Sequence, residues 1–256
     1  MPRPPPYAPG KNPQPPPPPS PISMLEFNSA TASTDGGCES TYIRSDNPTT
    51  NYAHETGHWW DGQSSHGHRD YVLVQFTDIF GHADHQIHPH DMIAKASLNY
   101  YVDLSYNGNA VGAEASVHEV KNKWSGGSVT WNSFAGERGP TPEEYDGDIV
   151  GEADAKTQGW KEVDVTGSIQ KWLDETNPKE ANNGWIFVPT GGNDGSNMRG
   201  CLAPANVRVN LQVFYQHAPP TPPSPPLPPP SPPSPPAAPS PPPHEPHDVT
   251  TLSGPS

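Results

Sequence analysis

Ile93-Ala94-Lys95-Ala96-Ser97-Leu98-Asn99-Tyr100-Tyr101-Val102 alternates residue by residue. Ala94, Ala96, Leu98, Tyr100 and Val102 form one apolar set, and Ile93, Lys95, Ser97, Asn99 and Tyr101 form the other. Side chains in a strand point to opposite faces with a period of two, so this stretch predicts a strand with one face in a core. A second stretch repeats the pattern, with Val207, Val209, Leu211, Val213 and Tyr215 set against Arg208, Asn210, Gln212 and Phe214. Further strands are predicted around 41–44, 71–76, 115–120, 160–165 and 184–188, separated by clusters of Gly, Asn and Asp. Many short strands with such punctuation predict an all-β fold, an antiparallel β-sandwich or jelly roll. One short helix is expected over 167–174, where Ile169, Trp172 and Leu173 share a face and Asp164 or Thr166 supplies a cap.

Working outward, the strand-rich region 25–217 lies between two proline-rich arms, 1–24 and 218–256. Twelve of the 38 prolines fall in the first arm and nineteen in the second. In PPTPPSPPLPPPSPPSPPAAPSPPP, residues 219–243, nearly every φ is fixed and few amide donors exist, so neither helix nor sheet is accessible. Polyproline II remains, and at about 3.1 Å per residue the stretch reaches roughly 75 Å as a semi-rigid rod. Such a run serves as a spacer or as a ligand for proline-reading domains. Beyond it, Val249, Thr250 and Leu252 mark a short β-prone segment, either a frayed end or a strand that adds to the sheet edge of another copy.

Charge and hydropathy narrow the partners. Asp and Glu number 28 against 14 Lys and Arg, a formal net charge of −14 that resides in the central region. A surface this acidic repels nucleic-acid phosphates and anionic lipid headgroups, which leaves cations and neutral polymers as partners. No run of eighteen apolar residues exists, which excludes a membrane-spanning helix. Met1-Pro2-Arg3 leads into proline rather than an apolar segment, so no secretory signal is legible. The two cysteines, Cys38 and Cys201, flank most of the strand-rich region. They are either unrelated thiols or a disulfide that closes a long loop between terminal strands, and the disulfide is expected in an oxidising compartment.

Eight of twelve histidines lie between positions 54 and 90. His66 with His68, and His88 with His90, are two apart, a spacing at which one loop presents both imidazoles to a transition metal. Solvated loop histidines or pH-sensitive packing contacts give the same pattern. Asp146 and Asp148 sit in an acidic, glycine-containing run, 143–154, suited to calcium or simply to solvent. Trp59 and Trp60 stand in a polar His/Asp/Gly segment and are candidates for stacking on a sugar ring or contacting a partner, whereas Trp124, Trp131, Trp172 and Trp185 read as packing residues. No nucleophile elbow, phosphate loop or dinucleotide fingerprint is present, so the chain is read as non-catalytic and as requiring no cofactor.

Two resemblances join these observations. Ser40 to Asp46, Val72 to Phe76, Ile93 to Val102, Val117 to Val120, Ser128 to Asn132, Val163 to Trp172 and Asn183 to Phe187 resemble, in order, the blocks of the DNRLRE-type β-sandwich domain. That resemblance implies an extracellular, non-catalytic, jelly-roll-like module in a family with carbohydrate-binding members. Residues 53–70 and 80–92 depart from it as histidine-rich insertions. Ser224-Pro225-Pro226, Ser231-Pro232-Pro233 and Ser234-Pro235-Pro236 resemble the hydroxyproline-rich glycoproteins of plant and green-algal walls. That likeness implies secretion and O-glycans on hydroxylated Pro16, Pro17, Pro18, Pro222, Pro223, Pro225, Pro226, Pro229, Pro232, Pro233, Pro235 and Pro236.

Two roles follow from the sequence. The first is a structural glycoprotein of a fibril, appendage or wall, assembling head to tail with other copies of itself through its arms. The second is a carbohydrate-binding module tethered by the arms, with wall polysaccharide as partner. Mass spectrometry of the native protein tests the arms: hydroxyproline carrying pentose or hexose chains is expected, and unmodified proline throughout would remove the wall-glycoprotein likeness.

Overall fold

The computed structural model describes residues 21–28, 37–63, 67–106, 114–191 and 195–218. These residues include eleven strands: β1 Ser23–Phe27, β2 Cys38–Arg44, β3 Gly57–Trp60, β4 Asp70–Phe76, β5 Met92–Val102, β6 Ala115–Glu119, β7 Gly151–Ala153, β8 Gly159–Asp164, β9 Trp185–Pro189, β10 Ser196–Arg199 and β11 Asn210–Gln216. They form two antiparallel sheets packed face to face, the sandwich that the alternation predicts. One sheet has six strands in the order β1-β11-β5-β10-β3, with β8 on the other side of β5. The other has five, β2-β4-β9-β6-β7.

The alternation of β5 is realised from Lys95 to Val102, whereas a register shift against β11 leaves Ala94 exposed and packs Ile93 against the core. Ala96, Leu98, Tyr100 and Val102 are buried between the sheets, and Lys95, Asn99 and Tyr101 face outward. Leu211, Val213 and Tyr215 of β11 are also buried. Trp60, Tyr100 and Phe187 meet at the centre: Trp60 stacks on Phe187 at 5.5 Å, and Tyr100 meets both edge-on at 6.1 and 5.7 Å. Each such aromatic pair adds about 1 kcal/mol beyond the area it buries.

Among the described residues three α-helices occur where one was expected: α1 Trp131–Ala135, α2 Thr166–Leu173 and α3 Pro178–Ala181. The predicted helix is α2, with Ile169, Trp172 and Leu173 buried as one face. Asp164 Oδ1 accepts from the Thr166 amide and hydroxyl and so holds its first turn. The two sheets differ in cover. The outer face of the five-stranded sheet carries a second cluster, in which Ile43, Leu73 and Ile186 pack beneath Val120, Val129 and Trp131 of the segment around α1. The outer face of the six-stranded sheet carries Lys95, Glu162 and Trp160 in solvent.

Cys38 and Cys201 are joined, with Cα atoms 5.7 Å apart. The bond ties the first residue of β2, in one sheet, to the chain just after β10, in the other. The chain enters and leaves the sandwich side by side, because Ser23 at the start of β1 is paired with Tyr215 near the end of β11. Closing a loop of 163 residues stabilises the fold by about 5 kcal/mol at most in the chain-entropy description. Replacing Cys38 and Cys201 together by alanine is therefore expected to lower the unfolding free energy by about 2–5 kcal/mol, measured by urea denaturation.

Candidate functional site

The site follows from β3, a strand that sequence reading left as a loop. Gly57-His58-Trp59-Trp60 pairs with β10, Trp59 opposite Asn197 and Trp60 opposite Ser196. Strand alternation then separates the two tryptophans. Trp60 is 0% exposed in the core, so the expected contact role for it is withdrawn; Trp59 points to the outer face and is half-buried. His58, also directed inward, is fully buried. Its Nε2 lies 2.8 Å from Ser40 Oγ, which accepts from the Cys201 amide. Gly200 is required here, since a Cβ at that position would come within 2.2 Å of His58 Nε2.

On the outer face the residues fall into rows. Tyr101 of β5 is opposite Trp160 of β8, and the two rings meet edge-on at 5.8 Å. Trp160 is 47% exposed, a large apolar ring in water on a sheet face. Arg199 of β10 is ion-paired with Asp103. Burial works to raise the Asp103 carboxyl, but hydrogen bonds from Ser105 and the Arg199 guanidinium outweigh it and hold it below the usual carboxylate range. Asn99 donates to Asn210 Oδ1 at 3.0 Å, and Lys95 pairs with Glu162 at 2.6 Å.

At the β3 end of this face lies a cleft of about 340 Å³ lined by His54, Glu55, Thr56, Gly57, Trp59, Asn197 and Arg199. Asn197 is 3% exposed and its Oδ1 has no hydrogen-bond partner among the described residues. A buried amide oxygen left in that state costs about 1–3 kcal/mol. The cleft stays open at Gly57, where a Cβ would meet the Asn197 amide at 2.9 Å. From Trp160 on β8 to Trp59 on β3 there are three strand spacings, about 14 Å. Aromatic rings, amides and one ion pair along that distance suit a ligand with apolar C–H faces and many hydroxyls.

A family model matches residues 33–185, the described strands from β2 to the first residue of β9 and more than half of the chain; it describes carbohydrate-binding module family 96. The chain belongs to this family. As a family 96 module it is a carbohydrate-binding domain of a non-catalytic kind, and the match supports the binding-module role over the filament-subunit role. Trp59, Tyr101 and Trp160 lie within the matched residues, whereas Asn197 and Arg199 lie beyond them. No individual curated protein matches the chain.

The module disperses most of the other expected site residues. His68 sits 3.5 Å from both Asp46 and Asp70, the latter already engaged bidentately by Arg44 at 2.8 Å. His90 is exposed, and His88 associates with Asp91 and His217 rather than with His90. The Asp146 carboxylate faces Lys171, and the backbone carbonyls of Asp146 and Asp148 accept from His118 Nδ1 at 2.8 and 3.0 Å. His66, the arm prolines and the segment with Val249, Thr250 and Leu252 lie outside the described residues.

Burial holds the His58 imidazole down to about 3, so it stays neutral in the fold while the unfolded chain titrates it near 6.5. The stability it permits is whole above pH 6.5 and is lost as pH falls from there toward 3. Between pH 7.5 and 5 this one residue is expected to remove about 2 kcal/mol, and His58→Leu should flatten that part of the urea-midpoint profile.

Proposed function

We propose that the outer face of the six-stranded sheet binds an extended, neutral glycan, with Trp160 and Tyr101 stacking at one end and the Trp59 cleft receiving a sugar at the other. The observation that carries this reading is the exposed Trp160 ring set edge-on to Tyr101, with Trp59 lining an open cleft on the same face, in a chain of a carbohydrate-binding family. The indole faces of Trp160 and Trp59 match the axial C–H face of a pyranose. A chain of several rings spans from one aromatic position to the other, whereas a single ring does not.

The charge pattern selects neutral over anionic polymers. On this face Arg199 and Lys95 are already satisfied by Asp103 and Glu162, while Glu26 and Asp164 add negative charge, and the whole chain carries −14. A uronate polymer would meet Arg199 and Lys95 already paired and would be repelled over longer distances.

In this reading the protein is an extracellular DNRLRE-type module, and its arms are polyproline rods sheathed in O-glycans that carry the sandwich away from whatever they join. The wall is the setting that their Ser-Pro-Pro phrasing suggests. Affinity electrophoresis of the full chain in gels of neutral and uronate polysaccharides provides the test. Trp59→Ala and Trp160→Ala should each weaken binding to a neutral polymer about ten-fold, near 1.4 kcal/mol, with melting temperature unchanged within a few degrees. Retention by uronate polymers alone, or equal retention of both variants, would overturn the assignment.

A further inference from the structure

The 80–92 insertion brings His88 and Asp91 to His217, which lies 126 residues away from Asp91 and two residues ahead of Pro219, where the proline run begins. One ligand atom from each of the three lies within 4.8 Å of the others. Asp91 is 6% exposed, and its ionic partner is His217, whose Nδ1 stands 2.8 Å from Asp91 Oδ1. Asp91 Oδ2 accepts from the His88 amide at 2.8 Å, which fixes the carboxylate in the plane it presents. His88 Nε2 lies 3.1 Å from the Ala83 carbonyl oxygen. A carbonyl only accepts, so that nitrogen carries the proton and Nδ1 is left with the lone pair, the arrangement that backbone carbonyls impose on metal-ligating histidines.

We propose that His88, Asp91 and His217 form a three-ligand site for a first-row transition dication of the zinc type. Two imidazoles and one carboxylate are the donor set that zinc takes with a fourth position left open, whereas calcium requires six or more oxygens. Bonds of 2.0–2.1 Å in a tetrahedron set neighbouring ligand atoms about 3.3 Å apart, so the set has to close by roughly 1.5 Å at its widest. The His217 side chain, 55% exposed, is free to make that movement. On binding, His217 takes the tautomer protonated at Nε2, so that Nδ1 gives its lone pair to the cation in place of the proton it shared with Asp91. The ring of His82 lies 6.2 Å from that of His88 and is the candidate for the open position. A bound ion fixes the end of β11 to the insertion. The family match ends at residue 185, so the site takes His88 and Asp91 from the 80–92 insertion within the matched region and His217 from outside it.

Isothermal titration of the full chain with zinc chloride tests the assignment, with calcium chloride as the second arm. One equivalent of zinc should bind, and free zinc at a hundred times its Kd should raise the melting temperature by roughly 5 to 10 °C. His217→Ala and His88→Ala should each weaken that equivalent by about ten-fold or more, while His90→Ala leaves it unchanged. The metal-free melting temperature of His217→Ala, a change at an exposed side chain, serves as the folding control. Zinc binding that is unaltered in both variants, or calcium that displaces zinc at equal concentration, overturns the proposal.

Discussion

Trp60, Tyr100 and Phe187 pack against one another between the sheets, and the direction of every neighbouring side chain follows from that contact. A strand cannot bury one residue without turning the next one away. Trp60 inward therefore means Trp59 outward, and Tyr100 inward means Tyr101 outward. On β8 the burial of Val163 sends Glu162 and Asp164 to the same outer face, with Trp160 in register beside Tyr101. A slip of one residue in any of these strands would bury the outer set and expose the core set. Core packing and the proposed glycan-facing surface are thus two sides of one register.

The sandwich is unequal in how it treats its outer faces. The long connection between β6 and β7 folds back over the five-stranded sheet, with Trp131 and Val129 closing on Ile43, Leu73 and Ile186. That sheet is buried on both sides, and its strand β4 reads as the nearly continuous apolar run Tyr71-Val72-Leu73-Val74. The six-stranded sheet keeps one face in water, and its strands β8 and β11 alternate between the two faces. The difference between a continuous and an alternating pattern thus marks which sheet has a surface to offer.

Sequence reading recovered the long alternating strands because their period is repeated four or five times over a half-buried face. It missed β3 and β10, the two strands that hold the Trp59 cleft. Gly57-His58-Trp59-Trp60 places a histidine and a tryptophan at its inward positions, and Ser196-Asn197-Met198-Arg199 places a serine and a methionine there, so neither shows an apolar period. Both are strands because they pair with each other and β10 meets β5 at Met198 and Val102, an arrangement invisible to local pattern. The disulfide was legible since only two cysteines exist and both border the domain. Histidine spacing misled for the opposite reason: neighbours such as His88 and His90 are close in sequence, while the residue that joins His88 in space is His217.

The pairing of Ser23 with Tyr215 puts the attachment points of both arms at one end of the molecule. Traction applied through the arms would peel β1 from β11 rung by rung rather than shear them along their length. Beyond those rungs the load reaches Cys38 and Cys201 and crosses through their covalent bond. Trp59, Tyr101, Trp160, Asn197 and Arg199 all lie within the loop that this bond closes. The proposed recognition surface thus lies inside the covalent loop, and load passing between the arms crosses at Cys38 and Cys201 without running through it.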